Sequence, residues 1–256
     1  MTESNKWKGF LPVVTILLII VFWYVAAAIY NVELILPKPS SALRELINAL
    51  GEREFWRGVG NTVLRSVLAF AFAFIAALAL SLICAWKDVI FRLFYPVVVL
   101  LRALPTISVI FICYIAVRGW YRAILISFLV IFPTLFSSFY TAFKRCGGEL
   151  ADVGKVFGVK KRFVLTRYII PSVWGGMYSD IVNTLSLTVK LIIAAEAVTA
   201  TGISLGGLMA ESKAMVDTGR ILANTVAAVA LSYSTELIVR LTSLIVKGVS
   251  KKWRSH

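Results

Sequence analysis

The stretch FLPVVTILLIIVFWYVAAAIY, residues 10–30, runs for 21 residues without a charge. A helix needs about 20 apolar residues to cross a bilayer core of roughly 30 Å. Two more runs meet the criterion outright: Ser66 to Ala85 holds 20 uncharged residues and Ala123 to Phe143 holds 21. Of the 256 residues, 59% are hydrophobic and 16% charged, more apolar surface than a soluble domain of this length can hide. The chain therefore reads as an all-α integral membrane protein. Ala26-Ala27-Ala28 imitates a signal-peptide cleavage site, but the apolar run before it exceeds the usual length of a signal core. The first helix is expected to be retained.

Working outward gives six spans: Phe10–Tyr30, Asn61–Ala85, Leu93–Val117, Ala123–Phe143, Ser172–Val198 and Ile221–Val246. The third carries Arg102 together with Pro96 and Pro105. All lie in one transmembrane domain over 1–256. Residues 1–60 form the first span and an external connection, 61–246 a five-helix core and 247–256 a cytoplasmic tail. After the turn at Pro37-Lys38-Pro39, Ser40-Ser41 is placed to cap a short amphipathic helix with Leu43, Ile47 and Leu50 on one face. With the N-terminus inside, 15 Lys and Arg fall on inner segments and 8 on outer connections. Both termini are accordingly expected in the cytoplasm. The formal charge of +14 largely expresses this asymmetry, an affinity for anionic lipid rather than for nucleic acid.

Several chemistries are missing from the sequence. Cys84, Cys113 and Cys146 are scattered and the one histidine, His256, is the last residue. Neither a disulfide framework nor metal spacing results, and no Gly-rich phosphate loop occurs. A membrane enzyme would need a paired nucleophile and base or metal ligands, for most of which the His and Cys are lacking. Any ATP chemistry must belong to another chain.

The longest inner connection, residues 144–171, reads KRCGGELADVGKVFGVKKRFVLTRYIIP. Leu150, Val153 and Phe157 form an apolar stripe, and Gly158 suits the left-handed position that ends a helix. Phe163, Val164 and Tyr168 give a second short helix its own face before Pro171. Two short helices about an elbow would present a compact basic knob to a soluble partner. By chemistry alone an ordinary basic loop is the better account.

This stretch resembles the signature cytoplasmic loop of bacterial ABC-importer permeases: Glu-Ala-Ala, three residues, Gly, then about a dozen residues to Leu-Pro or Ile-Pro. Gly158 and Ile170-Pro171 hold that separation, while Asp152-Val153-Gly154 stands where the triplet would be. Three more motifs resemble the nitrate, sulfonate and taurine branch. They are Leu36-Pro37-Lys38-Pro39-Ser40, Arg102-Ala103-Leu104-Pro105, and Glu196 followed by Ser204-Leu205-Gly206. That branch also includes permeases for thiamin-precursor pyrimidines and flavins. The resemblance implies a non-catalytic permease subunit in the bacterial inner membrane, moving a small solute, anionic in part of the branch. It implies a second permease copy, most simply as a homodimer, and two ATPase subunits that bind ATP and Mg. An extracytoplasmic binding protein completes the set. Glu149, Asp152, Gly154, Gly158 and Pro171 would belong to the coupling loop that docks on the ATPase. The rival reading is a channel or scaffold not coupled to ATP.

Charges inside the membrane need an account, since each costs about 2.5–3.5 kcal/mol at a helix centre on insertion scales. Glu236 and Arg240, four apart with the acid first, suit a helical ion pair. Lys190, 18 residues into the fifth span, is expected to snorkel outward. Asp180, Asn183 and Thr184 share one side of that span, to line a wet path or to bond neighbouring helices. Arg102 is too deep to snorkel. It either caps carbonyls freed by Pro105, or pairs with Glu196, or serves the substrate path. The candidate path residues are thus Arg102, Asp180, Asn183, Thr184 and Glu196. The segment 199–220, rich in glycine, is a candidate re-entrant gate.

Overall fold

The computed structural model describes residues 4–156 and 170–253, with side chains placed for residue 11 and for residues 13–145 and 177–241. The described residues form nine helices: α1 (Ser4–Tyr30), α2 (Pro39–Gly51), α3 (Arg53–Trp86), α4 (Asp88–Ala103), α5 (Thr106–Ala116), α6 (Arg122–Val156), α7 (Ile170–Thr199), α8 (Leu205–Ala214) and α9 (Thr218–Trp253). Five of them, α1, α3, α6, α7 and α9, are each long and apolar enough to cross a membrane. The α4–α5 pair makes a sixth crossing if it is counted as one broken span.

That break corrects the third span, which is not a continuous helix. α4 and α5 meet at 100°. Pro105 has no amide hydrogen to donate, and its ring forces Leu104 out of helical geometry, to φ −66° and ψ 127°. Pro96, by contrast, stays inside α4.

α3 and α6 form the centre. α3 presents a seam of small residues, Ala69, Ala73, Ala77, Ser81 and Cys84, all fully buried. Small side chains at this spacing let two helix backbones approach closely, the usual glue where lipid removes the hydrophobic drive. α6 answers with Ile131, Leu135, Phe136 and Phe139, of which Phe139 meets Phe74 edge-on at 5.3 Å. α6 and α7 are half buried within the monomer over their spans, whereas α1 is 6% buried. α1 is thus a peripheral helix with apolar side chains on all sides, its Phe22 and Ile29 each 76% exposed. Trp23 Nε1 ties it back by donating to the Pro37 carbonyl at 3.2 Å.

Two local expectations shift. α2 begins at Pro39, with Lys38 in the cap position and no side-chain cap from Ser40 or Ser41. Proline suits that first turn because its missing donor would be unsatisfied there anyway. The face bearing Leu43, Ile47 and Leu50 is exposed, while Ala42 and Ala49 pack inward. Such a helix suits the membrane interface. The second span also starts eight residues earlier than expected, at Arg53, so the connection before it is mostly helical.

Candidate functional site

Two groups of polar side chains stand out within the membrane-spanning helices. In the first, Arg102 at the end of α4 donates to Ser137 Oγ at 3.3 Å. The next residue of α6, Ser138, bonds the Asp180 carboxylate on α7. Adjacent serines of one helix thus bring Arg102 and Asp180 into a single strip across α4, α6 and α7. Asn183 continues the strip along the exposed face of α7, followed by Leu187, Lys190, Ala194 and Val198. This is one helical stripe at spacings of three and four. Thr184 is not on it: its side chain is buried, and its carbonyl accepts from Thr188 Oγ1 at 2.7 Å.

The second group is closed. Glu196 is completely buried, and its partner is Arg65 of α3, at 2.6 Å, not Arg102. Arg102 lies instead on the exposed serine strip, so the expected Arg102–Glu196 pair does not form. Thr62 donates to Glu196 Oε2 at 2.8 Å and accepts from the Leu205 amide at 3.0 Å. The Gly206 amide also reaches Oε2, at 3.3 Å. The Arg65 guanidinium lies 5.4 Å from the Trp120 ring centre, a cation–π contact. An ion pair this deep persists only when its other lone pairs and protons are also engaged; both carboxylate oxygens are, whereas the buried Arg65 Nε has no hydrogen-bond partner among the described residues.

Those bonds fix the elbow between α7 and α8. Ser204 caps α8 by accepting from the Gly207 amide at 2.9 Å. Ala200 and Gly202 take left-handed conformations, φ 45° and 50°, to turn the chain back. α8 then returns along α7 so tightly that a Cβ on Gly206 would lie 2.4 Å from the Ile193 carbonyl oxygen. The motif of Glu196 with Ser204-Leu205-Gly206 is therefore one contact: the carboxylate needs the amide, and the approach needs a glycine. Arg122 braces the same end, donating to the carbonyls of Val117 at 2.8 Å and Thr199 at 3.2 Å.

Sequence reasoning passed over Arg65. A signal was available, because Thr62, Arg65 and Ser66 are a polar i, i+3, i+4 set leading into the long apolar run of α3. Lys190 is exposed and lines an open cleft between α7 and α9. Glu236 and Arg240 do pair, at 2.5 Å. Of the coupling residues, Glu149, Asp152 and Gly154 fall on the last turns of α6, which runs unbroken from the membrane to Val156. The first of the two expected short helices is thus the tip of a long one. Pro171 is the second residue of α7, and Gly158 lies outside the described residues.

Three comparisons place this architecture. A formylaminopyrimidine transport permease protein, ThiX, from Halalkalibacterium halodurans is 23% identical over 171 residues, 66% of this chain and 68% of that one. Two inward-facing structures of the MetNI methionine ABC transporter share the fold, with a TM-score of 0.58 in each case. They are 15% and 16% identical and cover 73% and 72% of this chain, against 95% and 94% of theirs. Residues 77–248, from the last third of α3 through most of α9, match the binding-protein-dependent transport system inner membrane component. The chain belongs to that family, and is the multi-pass, non-catalytic permease subunit of an ABC importer whose ATPase is a separate subunit.

Proposed function

We propose that the chain forms the translocation path for a small solute delivered by an extracytoplasmic binding protein, with the exposed face of α7 as one wall. The observation that carries this reading is the polar strip. Asp180 and Asn183 are exposed on a helix otherwise half buried, and Arg102 reaches the same strip through Ser137. Ionisable groups at such depth mark solute pathways by default. Two copies of the chain, as a homodimer, would enclose the path between them, and both termini face the cytoplasm. Two ATPase subunits, binding ATP and Mg, dock on the connection that runs from the tip of α6 to Pro171. The solute is a sulfonate, nitrate or related anion, or a pyrimidine of the kind the named relative carries. Glu196, closed off with Arg65, serves the path by holding the α7–α8 elbow in place. Family membership decides against a channel or scaffold that works without an ATPase.

One experiment with two arms tests the reading in the assembled transporter. Arg102→Gln should cut transport sharply while the yield of detergent-stable complex holds, and Arg102→Lys should recover part of the loss. Gly158→Trp should abolish hydrolysis stimulated by the loaded binding protein, with Asp152→Ala milder. Full transport by Arg102→Gln would remove the strip from the path. Wild-type stimulation of Gly158→Trp would remove this connection from coupling.

A further inference from the structure

The cavity that Lys190 lines is a cleft between α7 and α9, open to the surface of the chain, with a volume of about 510 Å³. Its two ends differ. Near the elbow its walls are Ile193, Ala197 and Met209, the last contributed by α8. Lys190 is less than one turn from Ile193 and about two turns from Ala197 along α7, and on α9 the end farther from the elbow carries Ser232 and Glu236. Glu236 is held by Arg240 at 2.5 Å, so its charge is answered outside the cavity. Lys190 has no hydrogen bond or ion pair among the described residues, unlike Arg65, Arg102, Asp180, Glu196 and Glu236. The net character of this end is cationic.

Depth makes that cation informative. α7 runs from Ile170 to Thr199, so Lys190 lies about 13 Å from its elbow end, at 1.5 Å per residue. A residue that far along a span is close to the middle of a hydrocarbon core of roughly 30 Å. An ammonium group there needs either a counter-charge or water, and an open cleft of this size supplies room for both.

We propose that this cavity is a solute-binding station for a small amphiphilic anion, its carboxylate or sulfonate against the Lys190 ammonium and its apolar body toward Met209. The proposal rests on the permease reading and places charge selection further along the exposed stripe of α7 that carries Asp180 and Asn183, where that stripe faces α9. Because Met209 belongs to α8, the elbow forms the end wall of the station, and a shift of α8 would shorten or lengthen it.

The test uses the assembled transporter in proteoliposomes, with the three native cysteines replaced and Ala194→Cys or Ala228→Cys placed in the cavity wall. Two methanethiosulfonate reagents, one carrying a sulfonate and the other a trimethylammonium group, are compared after correction for their rates with a free thiol. The sulfonate reagent should react faster by about tenfold or more, as focusing by a low-dielectric wall predicts. Lys190→Gln should erase that preference, and benzenesulfonate should slow labelling only when Lys190 is intact. Three results would overturn the station. Failure of both reagents at both positions would mean a cavity filled by lipid. Equal rates would mean that Lys190 is neutralised, for instance by an acid of the second copy. Benzenesulfonate protection that persists in Lys190→Gln would mean that the anion is held elsewhere. ATP hydrolysis stimulated by the binding protein, measured in the same vesicles, reports separately on the permease reading.

Discussion

Glu196 and Lys190 lie six residues apart on α7, carry opposite charges and have opposite surroundings. Glu196 faces α3 and is enclosed by Arg65, Thr62 and the Gly206 amide, with no surface left to solvent. Lys190 faces α9 across a cavity and touches no polar partner among the described residues. Insertion costs of about 2.5–3.5 kcal/mol apply to both, yet only one is offset within the monomer. The pairing of a membrane charge therefore sorts its role better than its depth does. A charge with a full set of partners positions helices; a charge left facing a chamber is available to a ligand.

The largest effect should come from opening the closed site. Glu196→Leu leaves the Arg65 charge buried and unpaired, a loss on the scale of about 3–5 kcal/mol. It should collapse the yield of detergent-stable complex, and adding Arg65→Met should restore most of it. A single variant that melts like wild type would break the contrast at once. A smaller loss, about 1–3 kcal/mol, is expected of Gly206→Ala, where the new methyl group meets the Ile193 carbonyl and must push α8 off α7. Thermal unfolding followed by size-exclusion recovery reads both. The smallest effect, and of opposite sign, belongs to Lys190→Gln. Removing an unanswered charge should leave the melting temperature unchanged or raise it. A melting temperature that falls as far as that of Glu196→Leu would show Lys190 to be a structural residue as well.

Much of the fold was legible because the bilayer imposes a length on apolar runs. Spans such as Phe10–Tyr30 and Ala123–Phe143 announce themselves by that length alone. Hydropathy reads straight through Leu104-Pro105, however, since both residues are apolar, and so it cannot see a 100° break made by backbone chemistry. The Glu196 motif was visible as a spacing, but its meaning needed Arg65, 131 positions earlier in the chain. Nothing local in a sequence says which of several buried acids a given arginine will meet. Thr184 illustrates the same limit on a smaller scale. It shares a broad side with Asp180 and Asn183, and a rotation of one residue, about 100°, is enough to turn it inward.

α6 carries a mechanical consequence. Its 35 residues make a single rod of about 52 Å, gripped near its middle by α3 through Phe136 and Phe139. From Ser138 to the tip at Val156 is about 27 Å, so a tilt of about 10° at the grip sweeps the tip through about 5 Å. Near the pivot, the same tilt moves the serines that hold Arg102 and Asp180 by only a fraction of that. Because the grip and the polar strip coincide, a broad displacement at the Val156 tip becomes a small one where the serines sit, on the scale at which a hydrogen bond is made or lost.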